Sequence, residues 1–306
     1  MTAYPALILL DILPCLSSQW PWMTTLLKKP HFKSTIYSYY EKAGRTFPWR
    51  ENTDPWGILL SEFMLQQTQT IRVTAYWKRW MEKWPKPENI HKASLEEVLR
   101  EWSGLGYNRR GKYLKDSAGI ITLDYRGQVP TNPEELARLP GIGPYTAGAI
   151  ACFAYNYPAI FIETNIRSVM LHFFFKNREG VKDSEIRPLI EETLDRENPR
   201  RWYWALMDYG AALKKSRANP ARRSAHYRRQ SGFEGSFRQL RGRLIRTLTM
   251  EGPGKTEDLR KRIDLDANSE DLYRALKALE KESMVAEEDG IYRIPADSTK
   301  TLPERK

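Results

Sequence analysis

The sequence has few of the residues that bind metals or form disulfides. Only two of its 306 residues are cysteine, Cys15 and Cys152. Two cysteines cannot form a disulfide framework, a four-cysteine zinc site or a four-cysteine iron–sulfur cluster. The four histidines are scattered, at positions 31, 91, 172 and 226, so a histidine-rich metal site is not expected. We therefore predict no bound metal and no cofactor.

Long apolar runs are also missing. Residues 6–16 (ALILLDILPCL) are apolar but include Asp11 and Pro14, and the run is too short to span a bilayer. No basic residue precedes it, so a secretory signal is not expected. We predict an intracellular protein without a membrane partner, in the cytoplasm and associated with the nucleoid. Residues 1–22 are either a dispensable extension before Met23 or an apolar segment that packs on the domain.

The charge of the chain is strongly positive. It has 49 basic and 38 acidic residues, a net charge of +11, which favours a polyanionic partner such as nucleic acid or an anionic membrane face. Residues 214–246 contain 11 Lys or Arg against one acid, Glu234. A charge run is often only a solvated surface, but the aromatic residues and glycines in this one favour contact with DNA or RNA. The arginines that we expect to contact DNA are Arg222, Arg223, Arg228 and Arg229.

Helical patterns dominate the chain, and no long alternating run predicts a strand. Asp54-Pro55 is typical of an N-cap followed by proline at the first helical position, before the helix WGILLSEFMLQQTQ. Near the C-terminus three amphipathic helices and a short hairpin at Asp289-Gly290 resemble a winged helix. The predicted division is an extension at 1–29, a helical domain at 30–213, a basic linker at 214–236, a winged-helix-like domain at 237–296 and a tail at 297–306.

The segment LPGIGPYTAGAI, residues 139–150, predicts a glycine hairpin between two helices. Gly141 and Gly143 allow the backbone to approach a phosphate, and Pro144 is suited to the first position of the second helix. The amide groups at that helix N-terminus would point at the anion. The alternative is an ordinary turn between helices.

Two further segments place a carboxylate in apolar surroundings. In SEFMLQQTQ, Glu62, Gln66 and Gln69 have the spacing of one polar stripe on a helix; Glu62 alone could be a surface acid. In AIFIETNIRSVML, Glu163 lies in an apolar run, where carboxylates are rare unless paired or functional. Glu163, Thr164 and Asn165 could equally form an N-cap for the following helix.

These three segments, with WSGLGYNRRGKYLKDSA at 102–118 and WALMDYGA at 204–211, resemble the helix-hairpin-helix DNA glycosylase superfamily. The nearest resemblance is to adenine glycosylases of the MutY type, which act on A/G mismatches, and it covers about residues 40–215. It implies a mainly α fold with two helical subdomains flanking a cleft, followed here by the small winged-helix-like domain. The implied partner is double-stranded DNA with a mismatched or damaged base, bound by a monomer.

The resemblance also implies roles for individual residues. Glu62 matches the general acid, which protonates the leaving base, and its pKa would be raised on an apolar helix. Glu163 matches the catalytic aspartate, and Asn165 matches the asparagine two residues after it. Tyr145 stands where lyase-competent relatives carry lysine, so a glycosylase without lyase activity is implied. We expect Tyr145 and Asn165 to orient the carboxylate or the attacking water.

Other matches concern DNA. Gln66 and Gln67 match residues that wedge into the helix where a base has left, and Tyr107 matches a tyrosine that inserts beside the opposing base. The residues that match contacts to the extruded base are Trp49, Arg50 and Asp208.

The chain departs from the family pattern in three ways. Glutamate replaces the catalytic aspartate at position 163. The four cysteines that normally follow the LMDYGA helix are absent, and Lys214 stands at the first of their positions, which indicates a clusterless variant. The helical C-terminal pattern does not predict the β-rich module with which relatives recognise 8-oxoguanine.

The leading interpretation is a monofunctional glycosylase that removes a mispaired base, with adenine first and another mispaired or modified base second. A non-catalytic DNA-lesion-binding or regulatory protein is a further possibility, since glutamate replaces aspartate. A basic scaffold or RNA-binding protein is the last.

Overall fold

The computed structural model describes residues 21–216, 219–228, 232–263, 265 and 268–296. The chain divides into two compact units. The first unit is formed by residues 1–46 and 156–228, and the second by residues 47–155 and 229–306. Each unit is therefore discontinuous in sequence. The predicted domain boundaries differ from this division, and they remain a prediction about how the chain is organised.

Helices form most of the described chain, as predicted. In chain order they are α1 (Pro21–Ala43), α2 (Pro48–Glu51), α3 (Pro55–Leu65), α4 (Thr70–Lys83), α5 (Pro87–Lys92), α6 (Leu95–Trp102), α7 (Arg109–Asp124), α8 (Pro133–Leu136), α9 (Pro144–Tyr155), α10 (Thr164–Phe174), α11 (Asp183–Thr193), α12 (Pro199–Ser216), α13 (Phe237–Glu251), α14 (Thr256–Arg262) and α15 (Ser269–Lys281). A 3₁₀ turn spans Pro220–Arg223, and the strands are β1 (Gly254–Lys255), β2 (Ala286–Glu288) and β3 (Ile291–Arg293).

The first unit packs α1, α10 and α12 around aromatic side chains. Phe32 is almost completely buried and meets Phe173, Phe174 and Trp202 edge to face, with ring centroids 5.0, 5.1 and 5.6 Å away. Such contacts add to the free energy gained by burying the rings. They bring α10 and α12 together, and these two helices carry several of the predicted site residues.

The second unit is built around two apolar helices, α3 and α9. Every residue of α3 from Trp56 to Met64 is buried, which is expected of a helix that is hydrophobic all round. Asp54 caps α3 as predicted, because its carboxylate accepts a hydrogen bond of 2.8 Å from the backbone N–H of Gly57. Helix α9 is equally buried and packs directly on α3.

Helix α3 ends earlier than the sequence pattern predicts. Its last residue is Leu65, and Gln66 is its C-cap. Gln67 has a left-handed φ of 56°, and Gln69 is the N-cap of α4. The predicted polar stripe of Glu62, Gln66 and Gln69 is therefore wrong: only Glu62 is helical, and the glutamines belong to the turn between α3 and α4.

The C-terminal segment contains the three predicted helices and the predicted hairpin. Its sheet has the order β1-β3-β2, and both pairs of strands are antiparallel. The buried side chains of this segment form one hydrophobic cluster with Leu95 and Leu99 of α6. The core of the predicted winged-helix-like domain thus includes side chains of α6, and the boundaries of that domain remain a prediction.

Candidate active site and DNA interface

The glycine hairpin lies between α8 and α9 in the second unit. Gly141 has a φ of 76°, and a Cβ there would lie 2.8 Å from the side chain of Tyr113 and 3.0 Å from that of Phe63. Gly143 is exposed, and a Cβ there would meet no heavy atom within 4 Å. Its carbonyl accepts the hydrogen bond from the N–H of Ala147 that opens α9, at 2.9 Å. The first amides of α9 therefore point toward an exposed surface that an anion can approach.

The turn after α3 lies next to this hairpin. The side-chain amide of Gln66 donates a hydrogen bond of 3.3 Å to the carbonyl oxygen of Gly141. Gln67, the next residue, is exposed and has the left-handed backbone noted above. The structure thus brings one predicted wedge residue into contact with the predicted phosphate-binding hairpin.

Arg110 is a central residue of this unit that the sequence analysis missed. Its side chain is buried, and burial lowers the pKa of the guanidinium to about 10. The guanidinium donates five hydrogen bonds of 2.8 to 3.1 Å. The acceptors are the carbonyls of Phe63, Met64, Leu105 and Gly106 and the hydroxyl of Thr68. Arg110 therefore joins the C-terminal end of α3 and its turn to the loop that precedes Tyr107.

Tyr107 has a left-handed φ of 50°, and two guanidinium groups lie near its ring. Arg110 is 5.7 Å and Arg238 is 5.3 Å from the centroid of its ring. Arg238 also donates a hydrogen bond of 2.8 Å to the hydroxyl of Tyr107. The predicted inserting tyrosine is thus held in place by a residue of the C-terminal segment.

The two candidate carboxylates lie in different units. Glu62 belongs to the second unit, in the last turn of α3, and is only 6% exposed, so it is not the surface acid that the sequence left open as an alternative. Glu163 belongs to the first unit and is the N-cap of α10.

The carboxylate of Glu163 is held by Asn165. One oxygen accepts a hydrogen bond of 2.6 Å from the backbone N–H of Asn165, and the other accepts one of 3.1 Å from its side-chain amide. Burial raises the pKa of Glu163, while the amides of Asn165 and Ile166 and the charges of Lys214 and Arg167 act in the opposite direction. The N-cap alternative from the sequence is therefore realised, and the cap also fixes the direction of the carboxylate.

Lys214 completes this cluster. Its ammonium group donates a hydrogen bond of 2.8 Å to the side-chain oxygen of Asn165. Sequence reasoning placed Lys214 in the basic linker and at the first of the missing cysteine positions, and gave it no role in the site. The spacing of Gly210 and Lys214, one helical turn apart, could have indicated a shared face of α12.

The predicted base-binding residues have other partners in the structure. Asp208 is 1% exposed, and its carboxylate accepts hydrogen bonds of 2.7 Å from the backbone N–H and from Nε of Arg45. Trp49 is buried, with its ring stacked on that of Phe47 at 5.0 Å. Arg50 also lies over the ring of Phe47, at 5.1 Å. Contact of these three residues with an extruded base remains a prediction.

The remaining catalytic candidate, Tyr145, is the second residue of α9 and is half-buried. It follows Gly143 by two residues, so it lies directly after the hairpin.

The basic segment divides into two kinds of arginine. Arg223 donates hydrogen bonds to the carbonyls of Leu171, Phe175 and Lys176, at the end of α10. Its guanidinium thus satisfies the last carbonyls of that helix, and its contact with DNA remains a prediction. Arg222 and Arg228 are exposed, as a DNA contact requires. Arg229 lies outside the described residues.

The iron–sulfur cluster that the resemblance raises does not fit this chain. The sequence has two cysteines, and Cys152 is buried inside α9. Among the residues that the structure describes, no group of three or more His, Cys, Asp or Glu side chains could hold a metal ion. Within the same residues, none of the helices combines the length and the apolar character that crossing a bilayer requires.

Comparison with known proteins identifies the family. The chain is 35% identical over 290 residues to an adenine DNA glycosylase of Mycobacterium tuberculosis, and the match covers 87% of this chain and 95% of that protein. Residues 60–195 match the model of the HhH-GPD superfamily of base excision DNA repair proteins. The chain belongs to this superfamily. The predicted family is thereby confirmed, and the HhH-GPD match includes Glu62, the glycine hairpin and Glu163.

Further matches of this HhH-GPD protein are also to DNA glycosylases or to proteins that share their fold. An adenine DNA glycosylase of Mus musculus is 35% identical over 194 residues, which are 60% of this chain and 38% of the mouse protein. The solved structure of a thermostable thymine-DNA glycosylase is 29% identical, with a TM-score of 0.59 over 63% of this chain and 91% of that chain. Endonuclease III in a trapped covalent DNA complex shares the fold at 20% identity, with a TM-score of 0.53 over 62% of this chain and 87% of that chain. The mycobacterial match extends well beyond the family model.

Proposed function

We propose that this HhH-GPD protein is a monofunctional adenine DNA glycosylase that acts on adenine in a mismatch. The observation that carries the proposal is Glu62, a carboxylate buried at the end of an apolar helix, beside a turn that is bonded to the glycine hairpin. The similarity to adenine DNA glycosylases over most of the chain supports adenine as the base. We further propose that the protein works as a monomer on the DNA of the nucleoid, in the cytoplasm.

The first step binds the duplex and extrudes the target nucleotide, because the glycosidic bond is hidden inside the stack. The amides at the start of α9 bind a phosphate. Gln67 and Tyr107 enter the space that the extruded base leaves in the duplex. Arg110 holds the two loops that carry them in a fixed relative position. The exposed Arg222 and Arg228 contact the backbone of the DNA.

The chemical step breaks the N-glycosidic bond. Glu62 donates a proton to the leaving adenine, and positive charge develops on the sugar, as in glycoside hydrolysis. The ionised carboxylate of Glu163, held by Asn165, stabilises that charge. Water then adds to the sugar carbon, and its proton returns to Glu62. Tyr145 carries no amine, so no Schiff base forms on it and the DNA strand stays intact.

The chain fits no bound iron–sulfur cluster, and we propose that it works without one. Arg223 and Lys214 bind the ends of α10 instead. This arrangement gives the loop after α12 a protein partner in place of a metal.

Thymine in a mismatch is the second candidate base. The thymine-DNA glycosylase structure is matched over 91% of its own length at 29% identity. Adenine is preferred because the adenine glycosylase match has higher identity and covers more of this chain.

The test is base release from a panel of duplexes. Each duplex contains adenine or thymine opposite each normal base or 8-oxoguanine, and alkali then reveals abasic sites as strand breaks. We expect breaks at adenine and none without alkali. Glu62→Gln should abolish them while DNA affinity is kept, and Glu82→Gln, at an exposed acid of α4, should behave as wild type. Breaks only at thymine would favour the second candidate, and tight binding without any break would indicate a lesion-binding protein.

A further inference from the structure

A short relay of polar groups runs from α12 to the carboxylate of Glu163. Lys214 donates to the side-chain oxygen of Asn165 at 2.8 Å, and the side-chain nitrogen of Asn165 donates to Glu163 at 3.1 Å. The carboxamide thus lies between an ammonium group and a carboxylate. All three residues belong to the first unit.

The charges at both ends decide how the carboxamide is oriented. A carboxamide has an acceptor oxygen on one side and a donor NH₂ on the other. If it were flipped, its oxygen would face the carboxylate of Glu163 and its NH₂ would face the ammonium of Lys214, and both contacts would be repulsive. Lys214 therefore selects the one orientation in which Asn165 donates to Glu163.

The backbone of α12 is shaped for this contact. A Cβ on Gly210 would lie 2.2 Å from the carbonyl oxygen of Asn165 and 2.8 Å from its Cβ, so only glycine allows the two helices to come this close. Lys214 follows Gly210 by four residues, one turn along the same face. Gly210 allows the short distance between the two helices, and at that distance the side chain of Lys214 reaches Asn165.

The surroundings leave Lys214 as the cation that acts on Asn165. Arg167, the other nearby cation, is engaged by Asp183 through two hydrogen bonds of 2.7 and 2.8 Å. Lys214 is half-buried, and burial lowers the pKa of its ammonium group while the charge of Glu163 raises it. Lys214 is thus less exposed than Arg222 and Arg228 of the basic segment.

We propose that Lys214 is a positioning residue that fixes the carboxamide of Asn165 and, through it, the catalytic orientation of Glu163. The catalytic part of this inference rests on the proposed function, since Glu163 is assigned there as the charge-stabilising carboxylate. The geometric part, a clamp from Lys214 through Asn165 to Glu163, stands on the contacts alone.

The clamp is tested first by stability, which needs no enzyme activity. Urea unfolding is measured for the full-length protein, Lys214→Met, Asn165→Ala and the double variant. We expect the double variant to be less destabilised than the sum of the two single variants, which is the sign of direct coupling. Additive effects would overturn the proposal. Lys176→Met, which removes an exposed lysine of the same unit, should show additivity with Asn165→Ala.

The positioning role is tested by single-turnover adenine release at saturating enzyme. We expect Lys214→Met to lower the rate constant about 10- to 100-fold, the scale of a carboxylate misplaced by about 1 Å, with little change in the Kd for the duplex. Lys214→Arg, which keeps a cationic donor, should recover part of the rate. Lys214→Met combined with Asn165→Ala should be no slower than Asn165→Ala alone.

The outcomes separate the two proposals. A wild-type rate in Lys214→Met would overturn the positioning role. Weaker duplex binding with an unchanged rate constant would also overturn it. So would a double variant whose loss of rate equals the product of the two single losses. If the wild-type protein released no base while the coupling in stability was present, the proposed function would fail and the clamp would stand.

Discussion

The side chain of Gln66 is bonded to the carbonyl oxygen of Gly141, 75 residues further along the chain. This contact links the turn that carries Gln67 to the hairpin whose amides open α9. A protein that extrudes a nucleotide needs a fixed distance between the residues that enter the duplex and the amides that bind a phosphate, because misplaced groups lower the reaction rate. In the proposed function, the Gln66–Gly141 contact and the Arg110 bonds together supply that geometry within the second unit.

Gly141 and Gly143 should respond differently to alanine. Gly141→Ala places a Cβ in a left-handed backbone and against Tyr113 and Phe63, so we expect a stability loss of about 1–3 kcal/mol. Gly143→Ala finds open space and should leave the unfolding free energy unchanged, yet lower the affinity for duplex DNA because its methyl group keeps a phosphate from the backbone. Urea unfolding and a DNA titration check both. Equal losses of stability would contradict this account.

Replacement of Arg110 should affect both wedge loops at once. Arg110→Met leaves buried carbonyls without donors, at a cost of about 1–3 kcal/mol for each such group. We expect lower stability, and faster amide hydrogen exchange in residues 66–69 and 104–107. Arg109→Met removes the neighbouring arginine, whose guanidinium pairs with Glu282, the C-cap of α15, and should leave exchange in residues 66–69 unchanged. Wild-type exchange in Arg110→Met would show that these loops are held by other contacts.

The free energy of unfolding should depend on pH through the ionisation of Glu163. Burial raises its pKa above the 4.5 of an unperturbed glutamate, so the folded protein binds a proton there at a pH at which the unfolded chain does not. Its contribution to stability is then present below pH 4.5 and is lost as the pH rises through the folded pKa.

The proposed mechanism needs the opposite, ionised form of Glu163. The single-turnover rate of the wild type should therefore fall on acidification, with a midpoint above pH 4.5. The two cations acting on this carboxylate are Lys214 and Arg167, so Lys214→Met should move the midpoint upward. A ¹³C titration of the glutamate carboxyls, assigned with Glu163→Gln, measures the same pKa directly. A midpoint that does not move would contradict the assignment.

The arginines of the basic segment should separate into two classes. Arg223→Gln removes the donor to three carbonyls at the end of α10 and should lower the free energy of unfolding by about 1–3 kcal/mol. Arg222→Gln and Arg228→Gln change exposed side chains and should leave stability unchanged. Each should reduce the slope of log K against log salt by about 0.9 if its side chain neutralises a phosphate. An unchanged slope would reject these DNA contacts.

The sequence by itself determined the class of the protein. Two cysteines and scattered histidines argued against a metal protein, helical periodicity predicted a mainly α chain, and the order of the motifs predicted the family. Glycine and proline at 141–144 predicted the hairpin because turn residues act through local backbone geometry. The caps of α3 and α10, at Asp54 and Glu163, were readable for the same reason: an N-cap bonds only within its own first turn.

The tertiary structure decided which side chains serve which contact. Helix α3 continues in the sequence pattern but ends at Leu65, where Arg110 binds its last carbonyls from 46 and 47 residues away. Arg223 and Lys214 look alike in a basic run, yet one binds the carbonyls at the end of α10 and the other the carboxamide of Asn165. A local pattern gives charge and periodicity; the partner of a long polar side chain depends on which distant backbone the packing places within its reach.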